Sequence, residues 1–374
     1  MIAWDWQAPG RLIVGPGSLS RLGELLTEER VLLVTSQGWR RRGIVGQVCG
    51  LLPGVEVAAF DEVEPNPDID ALDAVLPMLR EARAALILAV GGGSAIDTAK
   101  GLAVALPAPG WGFDAHFRGG KKLPKHGPLP ILAVPTTAGT GAEVTPFATI
   151  WDKAARQKHS LQSDLLIPRG VILDAELTLG LPRATTIASG LDALSHAFEA
   201  LWNVNASNLS DGFALQALRL LFRHLPMVVE QPRALAGRAA MLEASLLAGM
   251  AIAQTRTALV HSMSYPLTAV LGVPHGLACG AFLAGVLAYN VEADDGRIAR
   301  AAQALGFGDI AGLRRALDDL LARLGLADAL AAAGVSRATV EPLAGQMINP
   351  ARAGNNLRSA DMADVRRLLS ASLG

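Results

Sequence analysis

The chain has 374 residues, 51% of them apolar and 18% charged, with a formal net charge of -1 from 33 basic and 34 acidic side chains. That composition supplies a large core spread over about two to three domains and argues against disorder. The balanced charge excludes a strongly basic nucleic-acid binder and gives no reason to sit on an anionic membrane. Two cysteines, Cys49 and Cys279, argue against a disulfide framework or a cysteine zinc site.

The mean hydropathy of +0.33 raises the question of a membrane span. The longest apolar stretch, residues 234–254, contains Arg238 and Glu243, and residues 278–289 are too few to cross a bilayer. The opening MIAWDWQAPG has neither a basic n-region nor an apolar h-region, so no signal peptide is expected and a cytoplasmic location is.

In chain order, VLLVT (31–35), VEVAAF (55–60), ALILAV (85–90), ILAV (131–134) and VIL (171–173) read as strands. Continuous apolar strands with helical spacers predict a parallel sheet covered on both faces. From about Thr185 the segments become Ala- and Leu-rich with helical periodicity, notably 213–221, 235–253, 313–326 and 362–369. No strand is expected after Asp174. The boundary is expected near Pro182, giving an α/β half over residues 1–181 and an all-helical half over 182–374.

Two glycine-rich turns follow strand ends. Gly91-Gly92-Gly93-Ser94 leads into a predicted helix over 95–106, with Asp97 in its first turn. A strand, a glycine turn and a helix N-terminus together present backbone N–H groups to a phosphate. The alternative is a tight turn with Ser94 as helix N-cap. The second turn, from Pro135 to Glu143, holds Thr136, Thr137, Gly139, Thr140 and Gly141. Two such turns on neighbouring strands favour a nucleotide clamp at the carboxyl edge of the sheet.

The helical half carries a candidate metal set. Asp192 and His196 share a helix face at i, i+4; His261 follows 65 residues later, and His275 lies 14 beyond that. Gly272 and Pro274 end the helix begun at His261, so His275 can return from the start of the next one. Three imidazoles and a carboxylate suit iron or zinc. The competing reading is a capping aspartate with scattered core histidines.

Together these segments resemble the iron-containing (group III) alcohol dehydrogenase family. The resemblance covers GPGSLSRLG (15–23), EPNPD (64–68), GGGSAIDTAK (91–100) and PTTAGTGAEVT (135–145). It continues through LPRATTIASGLDALSHAFEA (181–200) and HSMSYPLTAVLGVPHGLACG (261–280). It implies a Rossmann-like, dehydroquinate synthase-like α/β nucleotide-binding domain and a helical metal-binding domain, with cofactor and metal in the cleft between them. Asp192, His196, His261 and His275 are then the ligands of Fe(2+) or Zn(2+). NAD(P)H would be held by Ser36, Gly92, Gly93, Ser94, Asp97, Thr136, Thr137, Thr140, Thr145, Phe147, Lys158, Leu177 and Gly180. The implied reaction is reduction of a small aldehyde to an alcohol by a homodimer.

Three departures from the family pattern refine this. Tyr265 stands four residues after His261, where many members have a histidine; as catalytic residue it either relays a proton or merely packs. Ser36-Gln37-Gly38-Trp39 is followed by Arg40, Arg41 and Arg42 instead of an acidic residue, which favours NADPH over NADH. Thr255-Arg256-Thr257 replaces small or apolar residues, and an arginine there calls for an anionic partner. Thr257 would face the metal on a helix continuous with His261. Lys158, His159, Arg352 and Arg358 could add charge. These departures, with HSMSYPL and ATIWD, resemble the phosphonate branch that reduces phosphonoacetaldehyde to 2-hydroxyethylphosphonate. Arg256, Thr257, Thr149 and Asn66 are the expected substrate contacts. The alternatives are a broad-range or lactaldehyde-type iron alcohol dehydrogenase, a glycerol dehydrogenase-like or dehydroquinate synthase-like enzyme, a metal-dependent hydrolase and a non-catalytic binding protein.

Overall fold

A computed structural model describes residues 6–125 and 127–373. Residues 1–5, on which part of the leader reading rests, lie outside that range. The chain divides into two compact units. One comprises Gln7–Thr137 with Ala142–Thr178; the other runs from Leu179 onward and includes the short segment Ala138–Gly141.

The first unit is built on a six-stranded sheet of β1 (Arg11–Val14), β2 (Arg30–Val34), β3 (Glu56–Phe60), β4 (Leu86–Gly91), β5 (Ile131–Pro135) and β8 (Gly170–Leu173). Its order is β1-β8-β5-β4-β2-β3, and every pairing is parallel. Alternate residues serve opposite faces. Leu32, Ile87, Ala89 and Ala133 join one apolar cluster, while Leu33, Leu88, Val90 and Leu132 join another. Burial on both faces is why these strands read as continuous apolar runs.

Two features were not legible. In β1 only Ile13 is buried, so RLIV shows no apolar run. An antiparallel hairpin of β6 (Phe147–Asp152) and β7 (Gln157–Gln162) stands apart from the main sheet. QKHSLQ buries Leu161 alone, and its polar composition hides the strand.

The connection from β2 leads to β3 on one side, whereas that from β4 leads to β5 on the other. The carboxyl ends of β2 and β4 therefore flank the topological switch point, where open α/β sheets bind ligands. Thr35 Oγ1 donates to the Val90 carbonyl at 2.7 Å and ties the two ends together. The helix after β4 is Gly93–Ala105, and its N-cap is Gly92. The reading of Ser94 as N-cap is corrected: Ser94 lies inside the first turn, and its Oγ accepts from the Asn66 backbone at 3.2 Å.

The second unit carries no strand among the described residues. Its main helices are Arg183–Leu201, Asn208–Glu230, Leu235–Thr255, Leu259–Leu271 and His275–Val291. The segment expected as one helix over 313–326 is two, Ile310–Arg323 and one beginning at Leu326, split by Gly325 at φ 71°. Leu235–Thr255 is the one helix among the described residues long and apolar enough to cross a membrane. It is two-thirds buried and packs on the Arg183–Leu201 and Asn208–Glu230 helices. Its Arg238 is buried and donates to the Pro232 carbonyl and Thr186 Oγ1, which offsets part of the penalty of an interior guanidinium.

The expected continuity from Thr257 to His261 does not hold. The preceding helix ends at Thr255, Arg256 adopts φ 63°, and the next helix starts at Leu259. Thr257 is therefore not one turn before His261 on a common face.

Helix His275–Val291 begins against helix Arg183–Leu201, and a Cβ at Gly276 would overlap the Ala188 carbonyl. Only glycine allows that approach. Gly276→Ala is expected to destabilise the protein by about 1–3 kcal/mol through overpacking, read as a lower urea midpoint with an unchanged slope.

Candidate metal centre and nucleotide-binding turns

Asp192 lies mid-helix in Arg183–Leu201, so it is not a capping residue, and its side chain is buried. Its Oδ1 is 3.7 Å from His196 Nε2, 3.4 Å from His261 Nε2 and 3.8 Å from His275 Nε2. The structure thus brings all four expected ligands together from three helices.

The donor set fits a divalent cation. Asp192 Oδ1 and His261 Nε2 are buried without hydrogen-bond partners, a costly arrangement unless an ion satisfies both. The imidazoles are preset. His196 Nδ1 lies 3.3 Å from the Gly139 carbonyl and donates to it, leaving Nε2 as the lone-pair nitrogen. Burial pushes His196 down to about 4, so it is neutral and ready to ligate. Burial alone would raise Asp192, but the imidazoles of His196, His261 and His275 hold it well below the usual carboxylate range. Burial would lower His261, yet Cys279, Glu199 and Asp192 drive it well above the ordinary imidazole value. The cluster is built around positive charge, which a divalent cation supplies.

Glu199 is the principal residue that sequence reading missed. It is fully buried, and its Oε2 accepts from His261 Nδ1 at 2.6 Å and from the Ala258 amide at 2.9 Å; Oε1 accepts from the His261 amide at 3.0 Å. One carboxylate therefore caps the helix that carries His261 and fixes that ring with Nε2 toward Asp192. The signal was present: Asp192, His196 and Glu199 fall at i, i+4 and i+7 on one helix face.

The break at Arg256 frees those amides. The carbonyls of Thr255, Arg256 and Thr257 accept from Asn205, Asn203 and Asn355 side chains respectively. Arg256 is half-buried and Thr257 is buried. Tyr265 is half-buried, its ring 6.0 Å from that of His275, and its hydroxyl accepts from Arg352 Nε at 3.2 Å. Arg358 is engaged elsewhere, paired with Glu292 and stacked on Tyr289.

In the other unit, the two glycine-rich turns meet. The Thr136 amide donates to the Gly91 carbonyl, and a Cβ on Gly92 would press to 3.1 Å from Thr137 Oγ1. Trp39 Nε1 donates to Thr136 Oγ1 at 3.1 Å, so residues after β2, β4 and β5 converge, with Ser36 beside Trp39. Asn66, at φ 60°, joins them through Ser94. Asp97 Oδ2 accepts from the Thr149 amide, and burial raises this carboxyl to about 6. Lys158 is half-buried with its Nζ over the Trp151 ring, and His159 stacks on Phe117. Leu177 packs on the apolar cluster beneath the sheet, whereas Gly180 is exposed in the helical unit, as Thr140 is half-buried there.

Thr145 and Phe147 also carry a structural load. Lys100 is fully buried and its Nζ donates to the carbonyls of Thr145 and Phe147 and to Thr145 Oγ1. The Thr145 hydroxyl is thus committed to the core.

Glu199→Gln is expected to weaken metal binding roughly 10- to 100-fold, the usual cost of losing a ligand-orienting carboxylate. Chelator competition on a variant with unchanged far-ultraviolet circular dichroism measures it; unchanged affinity would remove the orienting role.

Comparison with known proteins identifies relatives along the whole chain. Residues 9–175 match the iron-containing alcohol dehydrogenase model, and residues 186–373 match the C-terminal model of the Fe-containing alcohol dehydrogenase family. The chain is 36% identical to 1,3-propanediol dehydrogenase of Klebsiella pneumoniae over 81% of its length and 79% of the relative's. It is 30% identical to NAD-dependent methanol dehydrogenase of Bacillus methanolicus, with 98% of each chain covered. Among solved structures, sulfoacetaldehyde reductase from Bifidobacterium kashiwanohense in complex with NAD+ superposes with a TM-score of 0.92 at 30% identity, covering 100% of this chain and 99% of that one. With both halves matched and the four donors gathered on three helices, the chain belongs to the iron-containing alcohol dehydrogenase family.

Proposed function

We propose that this oxidoreductase reduces a small anionic aldehyde, phosphonoacetaldehyde, to 2-hydroxyethylphosphonate with NADPH, as a cytoplasmic homodimer. The observation that carries the metal-dependent reading is the convergence of three imidazole nitrogens on Asp192 Oδ1. When bound, iron(II) or zinc supplies Lewis-acid polarisation of an aldehyde, and a reduced nicotinamide supplies the reducing equivalents. Family membership removes the hydrolase alternative.

The chain's own residues do the rest. Asp192, His196, His261 and His275 would hold the metal, with the Gly139 carbonyl and Glu199 keeping two of the rings in the ligating tautomer. The turns at Gly91–Ser94 and Pro135–Thr137, with Ser36 and Asn66, would hold the dinucleotide at the switch point. Arg40 is paired with Asp61 at 3.1 Å, so a 2′-phosphate would fall to Arg41 and Arg42. Arg42 lies over the Trp39 ring.

Tyr265 supports both the proton and the anion readings. Because Arg352 Nε donates to its oxygen, the phenol keeps its own proton to give at Oη, and the guanidinium stabilises the phenolate left behind. The same arginine places a cation next to Tyr265, whose ring lies 6.0 Å from that of His275, and the acidic group of a short aldehyde would pair there. Arg256, Thr257, Asn66 and Thr149 remain proposed substrate contacts. The sulfoacetaldehyde reductase neighbour acts, by its name, on an aldehyde carrying an acidic group. The 36% identity to 1,3-propanediol dehydrogenase favours a second reading, a neutral short-chain substrate.

Kinetics with phosphonoacetaldehyde, acetaldehyde and propanal, each with NADPH and NADH, separates these. A charge-assisted contact contributes about 1.5–3 kcal/mol, so kcat/KM is expected to favour phosphonoacetaldehyde roughly 10- to 100-fold. Equal efficiency on the neutral aldehydes rejects the anionic substrate, and a strong NADH preference rejects the role of Arg41 and Arg42. Tyr265→Phe is expected to lower kcat by roughly 10²- to 10⁴-fold with metal content unchanged; unaltered turnover eliminates the relay.

A further inference from the structure

The glycine-rich turns after β4 and β5 meet a third element, the short helix Gln37–Arg41 that follows β2. Trp39 fastens that helix in place. Its indole packs on the apolar cluster of one sheet face, and its Nε1 donates to Thr136 Oγ1 at 3.1 Å. Thr136 is itself a fixed point, 1% exposed, with its amide donating to the Gly91 carbonyl at 2.9 Å. The indole is thereby tied to the carboxyl ends of β4 and β5 together.

One face of that ring carries a cation. Arg42 stands three residues after Trp39, a spacing that puts both side chains on one side of a helical turn. Its guanidinium carbon lies 5.0 Å from the ring centroid. The backbone holds this register: the Arg42 amide donates to the Trp39 carbonyl at 3.1 Å, and Gly43 at φ 83° ends the turn. The three consecutive arginines are therefore not equivalent. Arg40 spends a donor on Asp61 at 3.1 Å. Arg41, two residues from Trp39, does not share its face. Arg42 rests on an anchored aromatic surface, and a guanidinium seated there keeps its N–H edge for an anion.

We propose that Trp39 is a positioning residue for cofactor selection: its ring seats Arg42 beside the switch point as the partner of the NADPH 2′-phosphate, and its N–H to Thr136 keeps the ring there. The proposal rests on the reading of this site as an NADPH site and narrows the 2′-phosphate contact from two arginines to one. An unseated arginine at the end of a five-residue helix must be ordered when the cofactor binds, which costs affinity. The seated guanidinium has already lost that freedom. NADH carries a hydroxyl at the same position and gains nothing from the seat.

Isothermal titration of the full-length, metal-loaded protein with NADPH and with NADH tests this without recourse to turnover. Arg42→Ala is expected to weaken NADPH binding roughly 10- to 100-fold, the usual effect of losing a charge-assisted contact, and to spare NADH. Trp39→Leu is expected to lower the preference for NADPH over NADH roughly 2- to 5-fold through loss of the cation–π seat. In an Arg42→Ala background the same substitution is expected to leave that preference where it was. Trp39→Met takes its place if the leucine variant does not fold, and Arg42→Ala, at an exposed side chain, is informative by itself. A preference unchanged by Trp39→Leu, or a loss shared equally by both cofactors, overturns the positioning role. Loss of NADPH selectivity on Arg41→Ala and not on Arg42→Ala overturns it too and leaves the NADPH reading standing. Wild-type protein that binds NADH as tightly as NADPH overturns both.

Discussion

A carboxylate oxygen buried without a donor is tolerable only when positive charge lies beside it, because lost hydration is not otherwise repaid. Asp192 Oδ1 is such an atom, and much of the helical unit is arranged to serve it. The tight seat of Gly276 on Ala188 lets His275 start its helix within reach of Asp192. The i, i+4 spacing on Arg183–Leu201 supplies His196 without further architecture. His261 is the difficult member of the cluster, since it must enter from a separate helix and present one chosen nitrogen.

The solution to that difficulty is a deliberate interruption. Arg256 in the left-handed region costs about 1–3 kcal/mol for a non-glycine residue. It persists because three asparagine side chains hold the carbonyls around it, and because the break exposes the amides of Ala258 and His261 to Glu199. The same carboxylate then takes the His261 Nδ1 proton in a hydrogen bond. Strain at one residue is offset by a helix cap and a fixed tautomer two to five residues later. A continuous helix would bury its amides in its own hydrogen bonds and leave Glu199 only the ring.

Much of this was legible in the amino-acid order. The strands of the sheet centre announce themselves by continuous apolar runs, and the clustered aspartate and histidines by residue type and spacing. The helix break was not legible, because TRTAL contains neither glycine nor proline and its cause lies in asparagines 50 to 100 positions away. Glu199 was visible at i+7 from Asp192 but looked like any helical carboxylate; only its burial and its partner His261 distinguish it. Ser94 reads as a cap by residue type, yet Gly92 takes that place because its backbone must pass close to Thr137. Local preference lost to a tertiary contact in each of these cases.

The same principle explains why a motif residue need not touch the ligand its motif serves. Lys100 ends GGGSAIDTAK, and a lysine after a glycine-rich turn invites assignment to a phosphate. Instead its ammonium is sealed in the core, where burial pushes it down to about 8 despite Asp97 and Glu143 nearby. Glu143, also buried, rises to about 7 for the same reason. Three donated hydrogen bonds to Thr145 and Phe147 saturate the lysine and draw the start of the β6–β7 hairpin onto helix Gly93–Ala105. Asp97 pulls on the same hairpin through the Thr149 amide. A phosphate contact would require Lys100 to leave these partners and strand two carbonyls in a dry interior, at a cost a surface lysine would not face. Lys100 therefore acts on the glycine-rich turns by fixing the strand behind them, while the glycines before it keep the backbone open.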